Sequence, residues 1–354
     1  MESRQYDTDV VVIGAGPAGS ATAIACAARG LRVCVFERET AGSARPGETL
    51  HPGVEPLLAE LGIDGERLAA VTGARHEGVW IEWNGTRRFD AFGSDTQGPW
   101  CGFQVHRPTF DAMLLERAGE LGAEICQPCA VSGLLMQDGA IRGVTTGDGP
   151  VTARTVVDAS GRTQWLCRQL RIDRPACSPR LSARYGYADG LYPECDAAPE
   201  MNGDASGWLW TAMVRPGTYQ WTRVSLDGSR IPAAWMPETM RHLMPKGASR
   251  GADVTWRIAS EAARPGWFMV GDAAAILDPS SSHGVLKALL SGITAAHLIH
   301  AVLVDGACAT EAADAYHDWV AGWFASDVRQ LARFYAELGV DGFGQEASGQ
   351  VDSV

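Results

Sequence analysis

After a short polar start, Asp9-Val-Val-Val-Ile13 runs without a polar break, the pattern of a strand buried on both faces. Small residues from Ala15 to Ala28 then predict a helix that packs closely on that strand, and Leu31–Phe36 predicts a second buried strand parallel to the first. Breaker-rich Pro46–Gly53 predicts a loop, followed by a short helix through Leu57, Leu58 and Leu61. Val79–Trp83 alternates apolar with polar and pairs with Arg87–Ala91 across Asn84-Gly85, a strong hairpin signal. Phe110, Met113, Leu114 and Leu121 mark one face of a helix from Pro108 to Leu121, and strands follow near 130–136, 140–145 and 151–157. From about Arg174 to Glu261 the pattern turns to alternating segments rich in Trp, Tyr and Arg, which predict a second sheet. Trp267–Val270 is another buried run, and helices from Val285 and from Glu311 close the chain.

This order gives an α/β fold: a Rossmann-like domain with an inserted β-sheet domain and C-terminal helices. The expected division assigns residues 1–75, 101–173 and 262–340 to the nucleotide domain and 76–100 with 174–261 to the substrate domain. The polar tail, 342–354, is expected to be disordered. With 354 residues, 46% hydrophobic and 20% charged, the composition is that of an ordinary globular protein. A net charge of −12 argues against nucleic-acid binding, which draws on clustered cations. No uncharged apolar run of eighteen residues occurs and the start lacks a signal-peptide pattern, so no membrane partner and a cytoplasmic location are expected. Nine cysteines without framework spacing suit reduced thiols. Cys126-Gln-Pro-Cys129 has redox spacing but lies on a strand-like connection, so a structural role is expected, and no metal site is.

The chemistry begins at Gly14-Ala15-Gly16-Pro17-Ala18-Gly19. Gly14 permits the tight turn, Gly16 lets backbone approach a pyrophosphate, and Gly19 lets the helix pack on the strand, while the helix N-terminus offers free N–H groups. Glu37, 18 residues after Gly19, stands where a carboxylate meets ribose hydroxyls, with Arg38 beside it. This set alone allows NAD or FAD. Two further motifs follow: Asp158-Ala159-Ser-Gly161, and Gly271-Asp272 with Pro279 and Gly284.

Together with Arg107 ahead of a helix, these motifs resemble, over nearly the whole chain, the FAD-dependent monooxygenases of the p-hydroxybenzoate hydroxylase fold, with flavin-dependent halogenases and geranylgeranyl reductases. The resemblance implies FAD as cofactor, held by the first-motif residues and by Glu37, Arg38, Arg45, Glu48, Arg107, Val131, Asp158, Ala159, Gly161, Gly271, Asp272, Pro279, Gly284 and Val285. It implies that Gly284 and Val285 set N–H groups beside the flavin, whose reduced charge a helix dipole favours. Arg45 and Arg107 are expected to neutralise phosphates, or else to be solvated surface charges.

A narrower resemblance, in Gly47-Glu-Thr-Leu-His51-Pro-Gly53 followed by Val79-Trp-Ile-Glu-Trp83, and in Ser282-His-Gly-Val-Leu-Lys287-Ala-Leu-Leu-Ser-Gly292, is to the flavoproteins that mature lysine and glycine oxidases by building cysteine tryptophylquinone. It implies hydroxylation of a tryptophan in a partner oxidase through a flavin C4a-hydroperoxide. Gly207-Trp208-Leu-Trp210 matches half of a halogenase motif, yet Thr211-Ala212 replaces its Ile-Pro end. Halogenases also use an early lysine to capture hypohalous acid, whereas the only lysines here are Lys246 and Lys287. Hydroxylation of an indole-like aromatic is therefore expected ahead of halogenation, isoprenoid reduction or a non-catalytic chaperone role.

His51 and His283 are candidates for proton transfer, or simply hydrogen-bonded loop residues. Lys287 either faces the flavin or lies on the helix surface. Trp208 and Trp210 either form an aromatic wall over the flavin or belong to the sheet core. No second glycine motif is visible, so electrons are expected from transiently docked NAD(P)H or from a separate flavin reductase.

Overall fold

Valines 10 to 12 have no solvent exposure because strands lie on both sides of them and the Pro17–Ala27 helix packs against them. In this computed structural model, which describes residues 6–40, 46–193, 195 and 197–343, Thr8–Ile13 pairs in parallel with Val33–Phe36 on one side and Gly149–Asp158 on the other. Glu124–Cys126 extends the first edge. Ala140–Thr146 and Val131–Gln137 continue the second edge as antiparallel strands, and Trp267–Met269 adds in parallel to the end of Gly149–Asp158. The Pro17–Ala27 helix is buried along ten of its eleven residues, packed against the Gly284–Leu303 and Arg107–Glu120 helices. That packing demands glycine: a Cβ on Gly292 would lie 2.5 Å from the Ala18 carbonyl oxygen, and one on Gly19 would lie 1.9 Å from that of Gly14.

The second sheet has seven strands, ordered Met244–Asp253, Ser182–Asp189, Thr218–Ser225, Gly207–Arg215, Glu200–Asp204, Gly78–Trp83 and Thr86–Ala91. Its hairpin turns through Asn84 and Gly85, both at positive φ, as a two-residue turn of this kind requires. Between the two sheets sits a small one in which Gly102–Val105 is flanked by Thr49–Leu50 and Thr72–His76.

Trp208 and Trp210 do face one side, and that side is packed core. Trp208 is fully buried and Trp210 nearly so, in a cluster with Trp83, Trp256, Phe324, Val328 and Tyr335. The last three belong to the 29-residue Ala309–Glu337 helix, which lies along the sheet. Buried indole N–H groups need acceptors. Trp208 Nε1 donates to Tyr335 Oη at 2.9 Å, Trp256 Nε1 donates to Asp278 Oδ2 at 2.6 Å, and Asp278 also hydrogen-bonds Tyr335. This network ties sheet, helix and the 278 turn together, so the aromatic wall is corrected to sheet core.

Gly284–Leu303 is also long and apolar enough to cross a membrane by length and composition, with half of its apolar window buried here. Its apolar character follows from its packing on Pro17–Ala27. Of the expected tail, only Gly342 and Phe343 are among the described residues, and Phe343 stacks on Tyr335 at 4.4 Å. Trp208→Phe should lower stability by about 1–3 kcal/mol, because it removes the hydrogen bond to Tyr335 and some packed volume. An unchanged melting temperature would contradict the bridging role.

Candidate active site

The glycine turn after the first strand is built by close backbone approach. Gly14 has φ +104°, and a Cβ there would sit 2.5 Å from the Ala159 carbonyl oxygen. Gly16 precedes the Pro17–Ala27 helix without a side-chain cap, so the helix start keeps N–H groups for a phosphate. Glu37 is buried, and its carboxylate accepts from the N–H groups of Ala15 and Glu39, each at 2.9 Å, which pins the glycine turn to the end of the second strand. The Cys129 N–H donates to the Glu37 carbonyl at 2.7 Å, bringing the start of the Val131 strand alongside. Arg38 is exposed and pairs with Glu39 at 3.5 Å. Arg45 lies outside the described residues.

Asp158 holds its turn from within. It is fully buried and accepts from Ser160 N–H at 2.8 Å and Leu166 N–H at 2.7 Å, and burial raises its pKa above the usual carboxylate range. It therefore shapes the Ala159–Gly161 turn, with Gly161 at φ +62°. The Gly271 N–H donates to Ser291 Oγ at 2.9 Å, which locks the third motif to the Gly284–Leu303 helix. Asp272 is half-exposed, with Arg162 at 3.4 Å. Pro279 begins a turn that Asp278 caps through the Ser280 N–H at 2.9 Å. That turn delivers the chain to His283 and Gly284, where the helix starts without a side-chain cap, Gly284 exposed and Val285 buried beneath it.

The Gly47–Gly53 loop meets this helix start: Cβ atoms on Gly47 and Gly53 would lie 3.9 Å from Val285 and 3.4 Å from Leu286. Glu48 is buried, accepting from Gly47 N–H at 2.8 Å and from the Tyr187 hydroxyl of the seven-stranded sheet. Burial pushes its carboxyl up to about 7. Arg107 is also buried; it grips Asp111 at 2.9 and 3.0 Å and donates to the Pro46 carbonyl. A guanidinium taken out of water needs such partners. One of its donors thus braces the loop and two pair with Asp111 of its own helix, so the side chain is not the solvated surface charge that was the alternative.

His51 and His283 stand edge to face with ring centroids 4.9 Å apart. His51 Nδ1 accepts from Gly53 N–H at 3.0 Å, so its proton sits on Nε2. Burial lowers the pKa of both, His283 to about 4 with His51 and Lys287 adding to the effect, so both rings are neutral near pH 7. Lys287 turns to Asp327 at 3.3 Å and lies over Trp323 at 4.8 Å, inside the helix pair. The proximity of the two histidines was legible in neither's spacing, and Tyr187, Phe92, His76 and Gln104 were missed altogether. Phe92, 5.6 Å from His51, and His76, 5.5 Å from Phe92, lie in segments whose pattern signals only strand and loop. Among the thiols, Cys126 approaches Cys34 at 3.8 Å, and burial raises both.

Two helix starts without side-chain caps, the glycine cradle and the buried loop fit a dinucleotide with a planar ring at its far end. Residues 9–86 match the FAD dependent oxidoreductase family, and residues 86–336 match the tryptophan halogenase family. The tryptophan 2-halogenase of Chondromyces crocatus is 26% identical over 366 residues, covering 93% of this chain and 68% of that protein. A digeranylgeranylglycerophospholipid reductase of Methanoculleus marisnigri is 28% identical over 346 residues, covering 90% and 82%. The solved flavin-dependent brominase Bmp2 superposes with a TM-score of 0.79 at 25% identity, covering 93% of this chain and 87% of that one. These relatives are halogenases and a reductase, and they lend no support to the narrower expectation of an oxidase-maturation flavoprotein. The chain belongs to the tryptophan halogenase family and is an FAD-dependent oxidoreductase.

Proposed function

We propose that this enzyme halogenates an electron-rich aromatic ring held between the start of the Gly284–Leu303 helix and the inner face of the seven-stranded sheet. The reading is carried by the tryptophan halogenase match over residues 86–336, which takes in six of that sheet's seven strands. The relatives' names add weight: one acts on tryptophan, and a brominase of Pseudoalteromonas luteoviolacea, 28% identical over 348 residues, acts on a carrier-bound pyrrole. When bound, FAD supplies the activated oxygen. The chain's own residues place the ring, exclude water and handle protons. His51 and His283, neutral at the loop, are suited to take the proton that an aromatic ring loses on substitution. A flavin reductase is the electron source consistent with this family.

One observation favours hydroxylation as a second reading. Lys246 pairs with Asp189 at 2.9 Å on an outer strand, and Lys287 pairs with Asp327. Both lysines are thus committed elsewhere, leaving neither as an evident carrier of hypohalous acid. Hydroxylation of a partner oxidase's tryptophan is a narrower form of this reading, supported only by the three short segments that suggested it.

Photoreduced holoenzyme should be re-aerated with indole, with and without bromide, and the products weighed by mass spectrometry. Halogenation predicts bromine in place of hydrogen only when bromide is present. One added oxygen in both arms would overturn it for hydroxylation, and unmodified indole in both would contradict aromatic substitution.

The loop that carries His51 depends on Glu48, whose raised pKa makes stability depend on pH. Its contribution is full below the unfolded value near 4.5 and is lost as pH rises through about 7. The stability gap between wild type and Glu48→Gln should therefore shrink by up to about 3 kcal/mol across that window, read by urea melts at several pH values. A gap independent of pH would contradict the buried acid.

A further inference from the structure

The small sheet between the two large ones presents two polar side chains whose hydrogen-bonding capacity is unspent. Its register sets His76 opposite Gly102 and Thr49 opposite Gln104, so His76, Gly102, Gln104 and Thr49 share one face. His76 is 4% exposed and Gln104 is fully buried. His76 Nδ1 lies 3.0 Å from the Gly78 carbonyl. A carbonyl only accepts, so Nδ1 carries the proton and Nε2 presents a bare lone pair. Among the described residues Nε2 has no partner, and neither has the amide nitrogen of Gln104, whose Oε1 accepts from Thr49 Oγ1 at 3.0 Å.

Two buried polar atoms left unpaired on one face call for a ligand, because each costs free energy until it is satisfied. Their surroundings say what kind. His76 lies 5.5 Å from Phe92, which lies 5.6 Å from His51, and His51 faces His283 at the start of the flavin-side helix. Gly102 lets both rings close onto this strand, since a Cβ there would come within 2.8 Å of the His76 ring and 2.9 Å of Phe92. Gln104 lies toward the larger sheet: a Cβ on Gly73 would sit 3.4 Å from the Gln104 Cβ and 2.3 Å from the Val214 carbonyl oxygen. The face thus sets one unpaired acceptor and one unpaired donor beside a chain of rings that leads through Phe92 to the histidine pair.

We propose that His76 Nε2 accepts a hydrogen bond from the ring N–H of an indole- or pyrrole-type substrate, with the Gln104 amide donating to an acceptor on the same molecule. The inference rests on the reading that this chamber takes an aromatic ring, and it makes His76 a binding residue that selects rings bearing an N–H. No group is transferred in this step; it fixes which edge of the ring points away from the flavin side.

The test is equilibrium binding to oxidised, FAD-loaded enzyme, followed by the flavin difference spectrum, with indole and 1-methylindole as probes. Indole should bind about 10-fold more tightly than 1-methylindole, the effect of leaving one buried acceptor unpaired. His76→Phe should abolish that preference, and His76→Gln, which keeps an acceptor, should retain part of it. Equal binding of the two probes to the wild-type enzyme would overturn the proposal, as would a preference that survives in His76→Phe or the absence of binding by either probe. The wild-type comparison decides the matter even if His76→Phe fails to fold. Preferential binding without product would leave this inference standing and remove the proposed reaction, whereas product formation with equal binding would do the reverse.

Discussion

Close backbone contact at a few points holds the rest of this structure in place. Gly14 against Ala159, Gly19 against Gly14, and Gly292 against Ala18 are approaches that no Cβ could enter without moving backbone. They fix the first strand, its helix and the long Gly284–Leu303 helix as one unit. Both uncapped helix starts belong to that unit. Because neither is capped by a side chain, their N–H groups stay available to an anionic group. The geometry of the cofactor site thus comes from packing, and its chemistry from what the packing leaves unpaired.

The seven-stranded sheet is joined to this unit by polar contacts of a different kind. Tyr187 donates to Glu48 at one end of the sheet, and the Trp208–Tyr335–Asp278–Trp256 network binds the other end to the last helix and to the turn before His283. Buried groups of this sort are costly alone and specific together. They set the distance between the sheet and the flavin-side loop. The histidine pair beside that loop is then held neutral by partial burial.

The cofactor end of the fold was legible because its constraints are local. A β-branched strand, three glycines and a carboxylate at fixed spacing require one another within forty residues, and the structure arranges them as the spacing implied. The substrate end was not legible in the same way. Trp208 and Trp210 alternate as a strand should, but only the Ala309–Glu337 helix, a hundred residues away, decides that their shared face is core. Arg107 stood as either a phosphate partner or a solvated surface charge; its burial and its pairing with Asp111, one helical turn on, exclude the second and carry no signal in the sequence. His76 and Gln104 sit on strands too short for a pattern, and their common face exists only once three distant segments pair. The resemblance to oxidase-maturation flavoproteins leaned on three short segments, whereas the family match extends across the substrate sheet and points to halogenases.

The central claim is that the reacting ring of FAD and its aromatic substrate meet beneath the seven-stranded sheet, beside His51 and the start of the Gly284–Leu303 helix. An experimental structure of the holoenzyme with indole bound tests this most directly. The account predicts the isoalloxazine against the Gly284 and Val285 N–H groups, with indole between it and the Phe92–His76 face. An isoalloxazine elsewhere, or indole bound on the outer face of the sheet, would contradict it.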